Sequence, residues 1–304
     1  MPTIRHILAA TDLSASARHA VDRGFGLAAA TGARLTLAHT LGPDALAPLR
    51  ALLGSQADDV VQQATARQRE AMEALARDPA RPHGVAVDIR LENGAAGSTL
   101  PALAATTGAD LMVLGARGDN PLRRMVLGST ATRVLRHSPC PVLLARQPDA
   151  APYRRVLLPI DFSPASALQI RLVRTLAPQA GLVLLHGFEA PFEGLLRYAS
   201  VSADIVAQYR AEARERALQQ LRALAAAEGL REGDYTSWVG HGEAVGLITA
   251  QQERLGCDLI AMGKHGTHVT EELLLGSVTR RVLDESDADL LVVVEPQRPA
   301  VAPA

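Results

Sequence analysis

The chain has 304 residues, 48% of them hydrophobic, which suffices for two cores because single cores rarely extend beyond about 250 residues. Its 31 basic and 32 acidic side chains nearly cancel, and only 3% of residues are aromatic, so the composition argues against nucleic-acid and membrane partners. Two cysteines make no disulfide framework, and neither a run of about 18 apolar residues nor a signal-like leader occurs, so we expect a soluble, cytoplasmic protein.

In the first half of the chain, five short apolar runs predict β-strands, and apolar residues at helical spacing predict one face of a helix between the second and third runs. The predicted strands are Ile4–Ala10, Arg34–Thr40, Val85–Leu91, Leu111–Leu114 and Pro141–Ala145, and the helix face comprises Val60, Val61, Ala64, Ala71, Met72 and Leu75. The segment Arg146–Pro152 lacks periodicity and contains two prolines, which places a linker there.

The second half repeats this pattern. Its predicted strands are Arg155–Pro159, Leu182–His186, Tyr235–Val239, Leu259–Met262 and Leu290–Val294, and its long helix presents Val206, Tyr209, Ala213, Ala217, Leu221 and Leu224 on one face. Apolar strands that alternate with helices are typical of parallel sheets covered on both faces. The tail from Pro296 onward contains three prolines and is expected to fray.

The two halves also align residue by residue. At a shift of 148, Gly115, Gly118, Gly128 and Ser129 fall on Gly263, Gly266, Gly276 and Ser277. Asp12 and Asp161, which follow the first strand of each half, match at a shift of 149. Such small offsets indicate duplication of a whole domain. We therefore predict an α/β protein with two doubly wound, five-stranded parallel sheets in tandem, in domains of residues 1–148 and 149–304.

The predicted topology indicates where a ligand would bind. Doubly wound sheets hold ligands beyond the carboxyl ends of their strands, where the strand order reverses. This rule selects Asp12 and Asp161 after the first strands, and the glycine loops that begin at Gly115 and Gly263 after the fourth.

Each glycine loop has the form Gly-x2-Gly-x9-Gly-Ser and ends where a helix is predicted, at Thr130–His137 and Val278–Glu285. Glycines allow close approach of the backbone, and free N–H groups with a hydroxyl at a helix start suit a phosphate. The alternative is an ordinary turn in which Ser129 only caps the helix.

These motifs resemble a known family. Gly115-x2-Gly118-x9-Gly128-Ser129, followed by Val134-Leu-Arg-His-Ser-Pro-Cys-Pro-Val142, is similar to the ATP-binding branch of the universal stress protein family, and Gly263-Lys-His-Gly266 with Gly276-Ser-Val-Thr279 is similar in the second half. The resemblance implies flavodoxin-like, or adenine nucleotide alpha-hydrolase-like, domains that hold ATP with Mg²⁺. It places the first-strand Asp near adenine or ribose, the residue after the second-strand His beside adenine, and the Gly-Ser segment on the phosphates.

The binding residues that the resemblance implies are Asp12, Thr40, Leu114, Gly115, Gly118, Gly128, Ser129 and Thr130 in the first half, and Asp161, Gly187, Met262, Gly263, Gly266, Gly276, Ser277, Val278 and Thr279 in the second. The sequence departs from the family pattern at Ala131, where a hydroxyl is frequent, and at Gly187, which removes an adenine-packing side chain. It also has Ala288-Asp289 in place of Cys-Pro.

Several other residues invite a chemical interpretation. His39 and His186 stand at strand ends without an evident Ser or Cys partner, so a structural hydrogen bond is favoured over catalysis. Cys140 is expected to pack, as is Trp238 in the core. Lys264 follows a glycine but lacks the spacing of a phosphate-loop lysine, and no His or Cys cluster has zinc-site spacing, so we predict no metal site formed by the protein alone.

The favoured function is an ATP-binding regulatory protein of the stress response, not an enzyme. A slow ATPase or a self-phosphorylating protein is the alternative, although phosphoryl transfer needs metal ligands and a residue that positions the nucleophile, neither evident beside Gly128 or Gly276. A third possibility is an interaction scaffold with vestigial pockets.

Two expectations concern how the halves relate. Because an unpaired apolar edge invites association, Val142–Ala145 and Leu290–Val294 are predicted to pair across a pseudo-twofold axis, within one chain or in a homodimer. The first half is predicted to hold the triphosphate more tightly, since it carries Arg123 and Arg124 where the second carries Glu271 and Glu272. Thr279, whose counterpart is Ala131, and Lys264 act in the opposite direction.

Overall fold

The computed structural model describes residues 3–42, 57–116, 128–188, 202–266 and 275–295. The first half comprises β1 His6–Ala10, α1 Ala15–Thr31, β2 Arg34–Leu41, α2 Ala57–Ala76, β3 Val87–Asn93, α3 Ala96–Thr107, β4 Leu111–Gly115, α4 Ser129–His137 and β5 Val142–Ala145. The second comprises β6 Arg155–Pro159, α5 Pro164–Leu176, β7 Gly181–Phe188, α6 Ala203–Ala227, β8 Tyr235–His241, α7 Ala244–Leu255, β9 Leu259–Gly263, α8 Ser277–Glu285 and β10 Asp289–Val293. Every predicted strand is confirmed, because short continuous apolar runs mark buried strands clearly.

The described strands form one sheet in the order β3-β2-β1-β4-β5-β10-β9-β6-β7-β8. Neighbouring strands are parallel within each half, as predicted, whereas β5 and β10 are antiparallel, with Leu143 opposite Leu291. The predicted pairing of the two last strands is therefore confirmed within one chain, which makes it an intramolecular pseudo-dimer. Because this pair is antiparallel, the carboxyl ends of the two parallel sets point to opposite edges of the sheet.

Two hydrophobic cores cover the two faces of the sheet. Alternate residues of each strand enter alternate cores, so Leu143 and Leu291 lie in one while Leu144 and Leu290 lie in the other. Helices α1, α2, α5 and α6 contribute to the first core, and α3, α4, α7 and α8 to the second. Both cores continue across the β5–β10 pair, which confirms the doubly wound α/β architecture and joins the halves through apolar packing.

The two long helices differ in how well their predicted apolar faces are buried. In α6, Val206, Ala217 and Leu221 are buried, as expected. In α2, Met72 is buried, but Val60 is 39% exposed and Ala64 and Ala71 are also exposed, so much of its predicted apolar face is not covered. The reason is position, since α2 packs on the edge strand β3, where the sheet ends.

A buried ionic cluster fastens the linker between the halves. The Asp289 carboxylate, fully buried at the start of β10, lies 3.1 Å from Nε of Arg23 on α1. It also accepts hydrogen bonds from the Tyr153 hydroxyl at 2.6 Å and from the backbone N–H groups of Arg146 and Gln147 at 2.7 and 2.9 Å. Burial, followed by the Asp289 charge, raises the pKa of Tyr153 well above its usual value.

The same cluster holds the linker backbone. Arg23 donates to the carbonyl oxygens of Asp149 and Ala151, both at 2.6 Å. Arg146 donates to the carbonyl oxygens of Leu283 and Ser286 at the end of α8, where a cation also complements the helix dipole. The segment predicted as a linker is thus held by buried polar contacts, which join it to Arg23 on α1 and to Asp289 on β10.

We predict that Asp289→Asn lowers the free energy of unfolding by about 3 kcal/mol, because removing one partner leaves a buried Arg23 charge uncompensated. Urea unfolding of the full chain measures this. Asp88→Asn, which removes a charge paired with Arg90 at 2.8 Å on the exposed strand β3, is the matched control and should leave the midpoint unchanged. Equal midpoints for all three proteins would contradict the expectation.

Candidate functional site

Each half has a cleft at the carboxyl ends of its strands, where the strand order reverses between β1 and β4 or between β6 and β9. Cleft one has a volume of about 260 Å³ and cleft two of about 320 Å³. Among the predicted residues, cleft one brings together Asp12, Thr40, Leu114, Gly115, Gly128, Ser129 and Thr130. Cleft two brings together Asp161, Gly187, Met262, Gly263, Gly266, Gly276, Ser277, Val278 and Thr279. Gly118 lies outside the described residues.

One wall of each cleft was not predicted. The first five residues of α3 contribute Ala96 and Leu100 to cleft one, and the first five of α7 contribute Ala244 and Ile248 to cleft two. These pairs match at the same shift of 148 that relates the glycine motifs, and each follows directly on the third strand of its half. The internal repeat therefore relates the two copies of this wall, although the glycine motifs do not include it.

The two aspartates close tight turns after the first strand of each half. Oδ1 of Asp12 accepts the backbone N–H of Ser14 at 3.0 Å, and Oδ1 of Asp161 accepts that of Ser163 at the same distance. In cleft two, Oδ1 also accepts the Ser163 hydroxyl at 2.6 Å and the Ser166 hydroxyl at 3.0 Å. These bonds fix each carboxylate at the mouth of its cleft as an acceptor.

The residue after each aspartate has a left-handed backbone. Leu13 has φ of 66° and Phe162 has φ of 62°, and they are the only non-glycine residues with positive φ in the described part of the chain. Such a conformation costs of order 1 kcal/mol or more for a branched or bulky side chain. The strain occurs at the same position of both copies, which associates it with the geometry of the clefts.

The glycine loops lead into α4 and α8 as free helix ends. Gly128 and Gly276 occupy the N-cap positions, and neither helix start has a side-chain cap. The alternative in which Ser129 merely caps the helix is therefore wrong, since Ser129 is the first helical residue and is exposed, as is Ser277. Each cleft presents uncapped N–H groups and a hydroxyl, which suit an anion.

Close packing explains glycine at two positions of cleft two. A Cβ on Gly276 would lie 3.3 Å from the carbonyl oxygen of Lys264, which accepts the N–H of Gly276 at 3.0 Å. A Cβ on Gly187 would lie 3.0 Å from Cδ1 of Leu247, because α7 approaches β7 closely there. The departure at Gly187 thus accommodates a neighbouring helix as well as removing a side chain.

Both histidines make the structural hydrogen bond that the sequence favoured. Nδ1 of His39 lies 2.8 Å from the carbonyl oxygen of Thr11, and Nδ1 of His186 lies 2.7 Å from that of Ile160. Since a carbonyl only accepts, Nδ1 is the donor in each case. Each ring therefore ties the end of the second strand to the turn after the first strand, and so shapes the cleft.

Two side chains that were expected to raise the phosphate affinity of cleft two donate to backbone carbonyl oxygens. The Thr279 hydroxyl donates to the carbonyl oxygen of Gly263 at 3.0 Å, so its expected phosphate bond is not available in this arrangement. Nζ of Lys264 donates to the carbonyl oxygen of Arg136 at the end of α4, in the other half, at 2.6 Å. The expectation that Lys264 offsets Glu271 and Glu272 stays a prediction, because both glutamates lie outside the described residues.

The charged residues from which we predicted tighter phosphate binding in the first half lie outside the described residues. These are Arg123, Arg124, Glu271 and Glu272. Among the described residues, no group of three or more His, Cys, Asp or Glu side chains is arranged to hold a metal ion.

Cys140 and Trp238 were both expected to pack in the interior of the protein. Cys140 is buried, and that burial raises the pKa of its thiol to about 11, so it packs as expected. Trp238 is only partly buried, against the second core, because it lies on the edge strand β8. The expectation of a core tryptophan is therefore wrong in degree.

Comparison with known proteins decides the family. The model of the universal stress protein family matches residues 3–146 and again residues 152–294. The chain belongs to the universal stress protein family. A protein of Staphylococcus aureus (strain USA300), named as a universal stress protein, is 32% identical over 172 residues, which cover 55% of this chain and 94% of that protein.

Solved structures of universal stress proteins share the tandem fold. The protein from Archaeoglobus fulgidus DSM 4304 has a TM-score of 0.66 and 17% identity, covering 95% of this chain and 98% of its own. The protein from Pseudomonas aeruginosa UCBPP-PA14 has a TM-score of 0.63 and 19% identity, covering 96% and 94%. Over the described part of this universal stress protein, no helix has the length and apolar character needed to cross a membrane.

The structural role of His39 is directly testable. His39→Leu removes the donor to the buried turn at Thr11, and we expect it to lower the free energy of unfolding by about 1–3 kcal/mol. His39→Asn is the control, because its amide N–H₂ occupies the place of Nδ1–H and should retain most of the stability. Chemical denaturation measures both variants. A leucine variant as stable as the asparagine variant would show that the bond contributes nothing.

Proposed function

We propose that this universal stress protein binds ATP, or another adenine nucleotide, in its clefts and acts as a regulatory protein of the stress response. The single observation that carries the proposal is the uncapped start of α4 at Gly128–Ser129, which lines cleft one together with Asp12. Phosphates carry the negative charge that such a helix start attracts, and a carboxylate accepts hydrogen bonds from ribose or base.

The remaining lining of cleft one fits the base. Ala38, Leu100 and Leu114 are buried apolar residues of the lining, and Thr40 adds a hydroxyl at the end of β2. Small-molecule sites typically combine such apolar walls with a few placed polar groups. This division of the cleft into an apolar part and an anion-binding part supports a nucleotide ligand.

We propose that Mg²⁺ accompanies the nucleotide. Mg²⁺ usually keeps several waters and is held largely by substrate phosphates, so the protein need not supply a complete set of ligands. We further propose a cytoplasmic location, which the two free, buried cysteines support, because thiols stay reduced there.

Binding, rather than turnover, is the proposed function. Efficient phosphoryl transfer requires a residue that positions the nucleophile, and both histidines of the clefts are engaged through Nδ1 with backbone carbonyls. Slow hydrolysis or self-phosphorylation remains the alternative activity, and the same measurement distinguishes the two.

We predict that the purified chain releases adenine nucleotide on heating and binds ATP with Mg²⁺ in calorimetry. Ser129→Asp should weaken binding to cleft one at least about tenfold, roughly 1.4 kcal/mol, because its carboxylate takes the place of a phosphate. Aspartate at a helix start stabilises the helix, so the fold is retained. Ser129→Asn is the neutral control, and Ser277→Asp tests cleft two in the same way.

A protein that binds ATP without turnover should form no product. Incubation of the loaded protein in a single-turnover assay should leave ATP intact over minutes, with no phosphate transferred to the chain. Conversion of bound ATP to ADP would favour the alternative activity. A chain that neither contains nor binds any adenine nucleotide would contradict the proposed function itself.

A further inference from the structure

Matching arginines stand one helical turn beyond the cleft serines of the two halves. Arg133 follows Ser129 by four residues on α4, and Arg281 follows Ser277 by four residues on α8. Residues four apart share a helix face, so each arginine lies on the same face as the serine that lines its cleft. Both arginines are exposed. Their surroundings differ between the two halves.

In the second half, carboxylates neutralise the arginine. Nη1 of Arg281 lies 2.8 Å from Oε1 of Glu243, and Nη2 lies 3.5 Å from Oε1 of Glu285. Glu243 is itself held in place, because its Oε2 accepts the N–H of Gly246 at 3.1 Å and caps α7. The residue after Glu243 is Ala244, which lines cleft two. The guanidinium therefore reaches the rim of cleft two with its charge already matched.

In the first half, neither carboxylate is present. The position of Glu243 is taken by Ala95, which gives α3 no side-chain cap, and the position of Glu285 is taken by His137. The Arg133 stem runs over α3, since its carbon atoms lie 2.7–3.4 Å from where a Cβ on Gly97 would be. Gly97 follows Ala96, which lines cleft one, so the Arg133 stem packs against the part of α3 that borders its cleft. Within the described ranges, Arg133 forms no ion pair with a carboxylate.

Hydroxyl donors follow the same division. Cleft one presents Thr130 directly after Ser129, whereas cleft two presents Val278 directly after Ser277. The remaining hydroxyl of cleft two, on Thr279, already donates to the carbonyl oxygen of Gly263. Cleft two therefore offers fewer hydroxyl donors to an anion among the described residues, independently of the arginines.

We propose that Arg133 determines specificity for the polyphosphate chain in cleft one, and that cleft two, with its arginine neutralised, takes an adenine ligand of lower negative charge. The inference rests on the proposed nucleotide binding. Arginine is suited to this role, because its guanidinium forms charge-assisted, bidentate hydrogen bonds with phosphate oxygens. The contribution of Arg133 grows with the number of phosphates and falls as salt screens the charge.

The test measures four ligands, ATP, ADP, AMP and adenosine, by calorimetry at low and at physiological salt. Cleft one is read in full chains carrying Ser277→Asp, and cleft two in full chains carrying Ser129→Asp. In cleft one, Arg133→Met should weaken ATP about 5- to 20-fold and adenosine less than about twofold. In cleft two, the matched Arg281→Met should weaken ATP clearly less than Arg133→Met does in cleft one, since Arg281 already donates to Glu243 and only its screened long-range charge is lost.

A charge exchange at the helix caps supplies the second arm. Ala95→Glu places in the first half the carboxylate that the second half has, and should weaken ATP in cleft one as Arg133→Met does. Ala95→Gln has similar bulk without the charge and should bind ATP as the parent does. Glu243→Ala releases Arg281 and should strengthen ATP in cleft two several-fold. If a cap variant folds poorly, the ATP affinity of Arg133→Met at low and at physiological salt still tests the inference.

The outcomes separate this inference from the proposed function. Equal ATP losses in Arg133→Met and Arg281→Met would overturn the inference, as would an equal loss for ATP and adenosine, which indicates a merely structural role. Unchanged ATP binding in Arg133→Met would overturn it while leaving nucleotide binding intact. A parent chain that binds none of the four ligands would overturn the proposed function as well.

Discussion

The antiparallel pairing of β5 with β10 is the contact on which the rest of the structure depends. Each of these strands ends its half as an apolar strand, and either alone would leave an unsatisfied, aggregation-prone edge. Paired, they bring Leu143 against Leu291 and Leu144 against Leu290, so both cores pass through the junction without interruption. The two domains therefore share one sheet and two cores, and neither β5 nor β10 is an edge strand of that sheet.

That pairing also sets where the two clefts lie. Because β5 and β10 run in opposite directions, the carboxyl ends of the two parallel sets face opposite edges of the sheet, and the clefts open away from each other. The contact of Lys264 with the Arg136 carbonyl joins the glycine loop of cleft two to the far end of α4, the helix that begins at cleft one. A hydrogen bond between the two halves thus lies between a residue of cleft two's glycine loop and the helix that begins at cleft one.

The sequence predicted the strands well and the buried polar contacts poorly. Apolar runs and the internal repeat locate all ten strands and the reversal of strand order, and the family resemblance names sixteen residues that line the clefts among the seventeen assigned. Spacing does not determine where a side chain points, so the bond of Thr279 to the Gly263 carbonyl was not predicted. Asp289 was visible only as a departure from the family pattern, because its partner Arg23 lies in the other half of the chain.

The exposure of α2 was missed for a related reason. Its apolar spacing in the first turns resembles that of α6, yet only its last turns pack on the core through Met72 and Leu75. Periodicity reports an amphipathic face, but not how much sheet lies beneath it, and β3 is an edge strand. The same limitation explains Trp238, which lies on the opposite edge strand, β8, and stays partly exposed.

The differences between the two copies follow from which contacts the shared scaffold requires. The strained turn after the first strand and the histidine bond that closes it occur in both copies, since they hold the strands at the cleft. Glu243 is not required in this way, because α3 keeps its start at Ala96 without any side-chain cap at Ala95. A carboxylate can therefore be present or absent at this position without altering the sheet, and its presence changes the charge beside the cleft. The charge beside the clefts is free to differ between the copies, whereas the buried contacts that position both clefts are not.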